Sequence, residues 1–327
     1  MNIGVDASAL GMASAVTSHT SNVYATYWNP AGLLEIEDNQ LALMHSSYFS
    51  GIANYDYAAY AMPLDSRSAV GVSLIRFAVD NIIDTRALID SGGNITPYEN
   101  LPRFSNADYG LSLSYARSLP LQGLNYGVNA KIIRRVIGDF ASAWGFGFDL
   151  GVQFKTANHW AFGLMARDIT TTFNAWAIDD DIFDNIADDI PEQERPQTTE
   201  ITIPKLQIGI SKTINFHNEY SLLTAMNINM RFEENNAIIS NKFVSINPAL
   251  GFEFSYINMV YLRTGIGNFQ KELQLDNSIN TTFQPSFGVG FKYNGIQIDY
   301  AFTDIGDQSV ALYSNVFSMK LDFSIFR

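Results

Sequence analysis

The sequence predicts an all-β fold, a 14-stranded antiparallel transmembrane β-barrel, and three observations carry that expectation. Apolar and polar residues alternate with period two almost everywhere after Asn39, while helical periodicity is nearly absent. The alternating segments are longer than the ~5–6 residues of a typical soluble strand and approach the ~9–11 that a tilted strand needs to cross a bilayer. Short and long connections take turns along the chain, as in a barrel whose tight turns face one side of the membrane and whose loops face the other.

The segments fall near 39–48, 53–62, 67–77, 107–118, 122–135, 142–155, 159–167, 201–212, 219–232, 242–256, 258–268, 282–293, 295–303 and 313–326. The clearest is Trp144–Lys155. One face carries Trp144, Phe146, Phe148, Leu150, Val152 and Phe154; the other carries Gly145, Gly147, Asp149, Gly151, Gln153 and Lys155. The same division sets Phe287, Val289, Phe291 and Tyr293 against Ser286, Gly288, Gly290 and Lys292. It also sets Phe317, Met319, Leu321 and Phe323 against Ser318, Lys320 and Asp322. An even strand number suits a bacterial single-chain barrel. Thr156–Asn158, Ile257 and Asn294 read as tight turns. The long connections are Ala78–Asn106, Asp168–Glu200, Glu233–Asn241, Phe269–Thr281 and Asp304–Leu312, with Phe49–Ile52 a short exception.

Composition narrows the function classes. The 327 residues are 47% hydrophobic, 16% charged and 13% aromatic, with no cysteine and a formal net charge of −13. So few charges argue against disorder, and the acidic balance argues against a nucleic-acid partner. Without cysteine there is no disulfide scaffold, thiol nucleophile or thiolate metal site. No run approaches the ~18 apolar residues of a membrane helix. A soluble sandwich would also alternate. However, 4 Trp, 16 Tyr and 23 Phe on continuous apolar faces suit a lipid-facing wall and its interfacial girdles. The opposite faces hold Gly, Ser and Asn with isolated charges (Lys131, Asp149, Arg231, Glu253, Asp299, Asp322), which suits a wet or plugged lumen. Met1–Leu10 lacks the basic and apolar regions of a signal peptide, so the expectation is a mature chain whose leader has been removed.

Residues 1–38 do not alternate; they read as a plug-like segment ahead of a barrel over 39–327. Ile3–Ala15 is rich in small residues, and Asn29-Pro30-Ala31-Gly32 marks a turn with Pro30 able to start a helix. The pair "IGVDASALGMASA" and "YWNPAGL" resembles the N-terminal signature of the PorV-like branch of the FadL superfamily of outer-membrane barrels. The motif residues are Gly4, Gly11, Met12, Trp28, Asn29, Pro30, Ala31 and Gly32; Ser8 and Ser14 stand where many relatives have Arg and Gly. The resemblance implies a fourteen-stranded barrel of the Gram-negative outer membrane, of a type found in Bacteroidota, with both termini periplasmic. Its leading functional implication is a protein-binding subunit of type IX secretion, ranked ahead of a passive channel for hydrophobic compounds as in FadL itself. A subunit of an outer-membrane assembly complex is a further alternative.

Chemistry-bearing constellations are few. The histidines, His19, His45, His159 and His217, form no metal or acid–base pair, and GFGFDLG at 145–151 is a strand rather than a phosphate loop. No cofactor, metal or catalytic residue is expected, and the protein reads as a non-enzyme. Segment 168–200 combines ten acidic residues with apolar ones. Ile182, Phe183, Ile186 and Ile190 sit at helical spacing, so a short amphipathic helix is expected. Trp176, Asp179, Asp180, Asp181, Ile182, Phe183 and Ile186 form the candidate partner-binding loop; a solvated acidic cover over the barrel mouth is the plainer alternative. Asp179–Asp181 lacks the glycine and distal glutamate of a calcium loop. Expected partners are the lipid bilayer, a larger outer-membrane translocon or assembly barrel, and the C-terminal domains of secreted cargo.

Overall fold

Small and polar side chains turned inward and apolar ones turned outward build one closed wall. The computed structural model describes residues 3–48, 51–88, 93–178, 199–217, 219–273, 278–303 and 314–323. Its wall has fourteen strands. They are β1 Gln40–Tyr48, β2 Ala53–Asp65, β3 Ser68–Ile83, β4 Arg103–Ser118, β5 Leu124–Ile137 and β6 Ala141–Lys155. Next come β7, in two pieces (Trp160–Arg167 and Thr172–Ile178), and β8, also in two (Thr199–Thr202 and Lys205–Phe216). The wall continues through β9 Tyr220–Arg231, β10 Ser245–Tyr256, β11 Val260–Leu273, β12 Ile279–Tyr293, β13 Ile296–Thr303 and β14 Ser314–Asp322. Each strand pairs antiparallel with the next, and β14 closes on β1 with Gln40 opposite Asp322. Closure leaves the wall without a free edge. The outward residues of β6 illustrate the lipid face: Trp144, Phe146 and Phe148 are each at least half exposed.

The strand order and count agree with the alternation; several lengths do not. β3 and β4 run on to Ile83 and back from Arg103, and β11 and β12 reach Leu273 and Ile279, so these hairpins rise beyond the span expected from the sequence. Segment 168–200, expected as a loop, begins with a further piece of wall. Thr172–Ile178 pairs with β6 after an interruption in which three residues of β6 face six of β7. Asp168 and Thr171 have positive φ there (53° and 61°), and the Ile169 N–H still reaches the Phe148 carbonyl at 3.0 Å. This bulge destroys the period-two signal and so hides the strand's continuation. The expected helix over Ile182–Ile190 lies outside the described residues.

Residues 3–36 lie inside the wall. Asp6 caps a one-turn helix, α1 (Ala7–Leu10), its carboxylate accepting from the Ser8 N–H at 3.0 Å. A second turn, α2 (Ala25–Trp28), leads into a 3-10 helix, Pro30–Glu35, capped by Asn29 with Pro30 at its first position. Inward glycines of the wall leave room for this chain. A Cβ on Gly163 would sit 2.3 Å from the Thr17 carbonyl oxygen, and one on Gly265 would sit 2.4 Å from the Met12 carbonyl carbon. Against β1–β3 the contact is instead aromatic and apolar: Tyr24, Tyr27, Trp28, Tyr48, Tyr55 and Tyr57 form one buried cluster. The first half of β2 therefore reverses the expected polarity, with Tyr55 and Tyr57 inside and Asn54 and Asp56 outside.

Candidate functional site

Two features of the barrel hold chemistry: a polar cavity in the lumen and an ionic patch on the outer wall.

The cavity has a volume of about 600 Å³. Ile3, Gly4, Leu10 and Trp28 of the N-terminal segment floor it, and Asn235–Ala237, from the connection after β9, reach it from the loop end. Its side wall is amide and cationic, including Arg167, Lys205, Gln207, Asn229 and Arg231. Register brings the cations together: Lys205 stands directly opposite Arg167 on one neighbouring strand and Arg231 on the other. The Arg167 guanidinium lies over the Tyr27 ring (4.4 Å to its centre), and its Nε donates to Gln207 Oε1 at 2.7 Å.

The segment beneath is fastened to the wall. Asn29 is fully buried; its Nδ2 donates to the carbonyls of Thr17 (3.0 Å) and Val152 (3.1 Å), while its Oδ1 accepts from the Ala31 N–H (3.2 Å). Trp28 Nε1 donates to the Val5 carbonyl at 3.0 Å. Gly11 abuts the backbone of Gly288, Met12 packs on Gly251 and Gly265, and Gly32 abuts the Thr20 carbonyl. Pro30 and Ala31 are buried against Gly127 of β5. The eight motif residues thus share one packed segment, of which Gly4 and Trp28 touch the cavity.

Two ion-pair networks lie inside the wall. Lys131 bridges Asp149 (2.6 Å) and Asp168 (2.5 Å), and Thr172 Oγ1 donates to Asp168, which pins the bulge of β7. Arg263 joins Glu253 (2.5 Å) to Asp299 (2.6 Å). In the N-terminal segment, burial, followed by the Asp299 carboxylate, pushes Asp6 up to about 6. Burial pulls the His19 imidazole down to about 3, with Lys155 and Arg263 adding to the effect, so His19 is neutral at ordinary pH.

On the outside, His45 Nδ1 lies 2.7 Å from Asp56, and Arg76 spans Asp56 (3.4 Å) and Asp80 (3.3 Å). These groups rim an apolar groove formed by Leu43, Ala58, Leu74, Ile298, Phe317 and Met319. His45 sits five residues along the nine-residue β1, on the face that elsewhere meets lipid.

Of the candidate loop, Trp176 belongs to β7 rather than to a loop. Its ring lies under the Arg135 guanidinium (5.0 Å), and its Nε1 donates to Glu200 at 3.2 Å. Asp179, Asp180, Asp181, Ile182, Phe183 and Ile186 lie outside the described residues. No group of three or more His, Asp or Glu among the described residues is placed to hold a metal ion.

No protein-family model and no curated protein matches the sequence. Solved structures do match over the whole chain. A FadL homologue of Pseudomonas aeruginosa is 12% identical, with 99% of each chain covered and a TM-score of 0.56. The toluene transporter TodX of P. putida is 12% identical, covering 98% of this chain and 99% of that one, with a TM-score of 0.58. The toluene transporter TbuX of Ralstonia pickettii is 11% identical over 98% of both chains, at 0.54. At these identities the likeness is one of fold: like them, the chain is a closed 14-stranded antiparallel barrel.

Proposed function

We propose that the protein is an outer-membrane channel of the FadL architecture, passing small molecules through its lumen under control of the N-terminal segment. One observation carries this reading: a cavity of about 600 Å³ lies between that segment and the loop end of the barrel. A structural barrel has no need of such a space, and its floor is a segment outside the strand ladders, held by side-chain packing and by polar tethers such as those of Asn29. The toluene transporters of the same fold make hydrophobic compounds the first class to try. The sequence reading ranked a channel below a secretion subunit; the fold comparison and the cavity reverse that order. The test is uptake of a radiolabelled monoaromatic hydrocarbon by Gram-negative cells that lack such channels and express this chain. Uptake above vector-only cells supports the reading; uptake equal to theirs refutes it.

A second reading, the PorV-like protein-binding subunit, draws support from the outer wall. Charged groups on a lipid face cost up to ~2–4 kcal/mol near the membrane midplane. A protein partner covering His45, Asp56 and Arg76 and filling the adjacent groove would remove that cost. Recovery of a stoichiometric membrane partner from native outer membranes, lost in Asp56→Ala/Arg76→Ala, supports it; a barrel that is recovered alone counts against it.

A further inference from the structure

We propose that the lumenal row Arg167–Lys205–Arg231 is an anion-binding site that takes a dianionic phosphoryl group. The inference goes beyond the channel reading by adding an anion site to the lumen, and it rests on that reading only in needing the anion to reach the cavity.

The register creates the row. Lys205 is the direct cross-strand partner of both arginines, and adjacent strands are only ~4.8 Å apart. Like charges placed directly opposite one another destabilise a sheet. Two other lumenal cations are matched, Lys131 by two aspartates and Arg263 by Glu253 and Asp299. The row is not. Asp168, the acid next to Arg167 in sequence, is engaged by Lys131 and Thr172. Arg231 reaches Glu233 only at 3.7 Å. Among the described residues Lys205 Nζ has no hydrogen-bond or ion-pair partner.

Arg167 supplies the independent observation. It is 94% buried, yet its Nη2 is without a partner and the residue lines the cavity. An unsatisfied buried donor costs about 1–3 kcal/mol, more when charged. Its Nε bond to Gln207 and its stacking over Tyr27 hold the guanidinium plane in place. A fixed guanidinium beside an ammonium matches an oxyanion that can accept several hydrogen bonds.

Charge count and lining select the class. Arg167 and Lys205 have no acidic partner among the described residues and Arg231 is weakly paired, so the site is neutralised best by about two negative charges, which a phosphoryl group carries near pH 7. The side chains beside the row are the amides of Gln207, Asn229 and Asn247, which can donate to the remaining oxygens. A monocarboxylate would leave one cation unanswered.

The test is calorimetric titration of the intact chain in detergent at low salt, with inorganic phosphate, glycerol phosphate and decanoate as probes. One phosphate site is expected, weakened at least about tenfold in Lys205→Gln and in Arg167→Gln and kept within about threefold in Lys205→Arg. Heat-modifiable gel mobility establishes that each variant retains a closed barrel. Tighter binding of the monoester points to an organic phosphate, and tighter binding of the inorganic ion to free phosphate; both support the site. Failure of both phosphates to bind below about 10 mM, equal binding by Lys205→Gln, or preference for decanoate overturns it. Binding needs no passage, so a lost anion site with hydrocarbon uptake intact is distinguishable from a failed channel.

Discussion

Replacing Asn29 with alanine isolates the fastening of the N-terminal segment from the rest of the barrel. The change removes the cap of the 3-10 helix, worth ~1 kcal/mol. It also removes two well-formed side-chain hydrogen bonds, to the Thr17 and Val152 carbonyls, worth ~1 kcal/mol each. A total near 3 kcal/mol corresponds to ~10²-fold more frequent local opening. The wall's own ladders do not pass through Asn29, so the barrel remains closed. Hydrogen exchange in nanodiscs reads the effect directly: amides of Tyr24–Leu33 exchange about two orders of magnitude faster, while those of β5 and β6 are unchanged. Unchanged protection of Tyr24–Leu33, with gel mobility reporting an intact barrel, would refute the idea that Asn29 tethers this segment.

Four further outcomes follow from the geometry. In Gly265→Val the new side chain meets the backbone of Met12 and Ala13, which cannot step aside as a flexible side chain could; protease accessibility of the N-terminal segment is expected to rise in a folded barrel. Lys131→Met leaves Asp149 and Asp168 facing each other with no cation, costing about 3–5 kcal/mol if both remain charged, read as a lower midpoint in denaturant. Asp6 has its proton affinity raised by folding, so the folded chain binds more protons than the unfolded one between about pH 4 and 6, and this group's contribution to stability falls as pH rises through that window. Asp6→Asn, which keeps an acceptor for the Ser8 N–H, should therefore gain thermal stability over the wild type at pH 8 and lose that advantage by pH 4. Asp56→Ala/Arg76→Ala should fold at least as well as wild type in pure lipid, since it removes charge from the outer wall; slower or lower folding there contradicts a lipid-exposed position.

Much of the wall was legible because its chemistry repeats every second residue. Trp144–Lys155 carries enough contrast between Phe and Gly faces to fix both its length and its orientation. The same rule misleads in β2, where Tyr55 and Tyr57 point inward to pack on Tyr24 and Tyr48 while Asn54 and Asp56 face out. A local pattern cannot distinguish an aromatic that meets lipid from one that meets a plug. The continuation of β7 was hidden because Asp168–Thr171 inserts a bulge held by Lys131, a partner 37 residues away. The cation row was illegible for a related reason: Arg167, Lys205 and Arg231 become neighbours only once the register of three strands is known. Asn29-Pro30-Ala31-Gly32 stood out in sequence, and its visible part was the helix start; its bonds to Thr17 and Val152 belong to the assembled barrel.

Solute flux through the barrel, compared between wild type and Asn29→Ala, tests the channel reading most directly. Monoaromatic hydrocarbon uptake is measured in cells with equal amounts of each folded barrel in the outer membrane. Uptake above vector-only cells by the wild type, rising several-fold when the segment is loosened, is the expected result. Uptake at the vector-only level for both proteins would contradict a small-molecule channel gated by residues 3–36 and leave the outer wall as the functional surface.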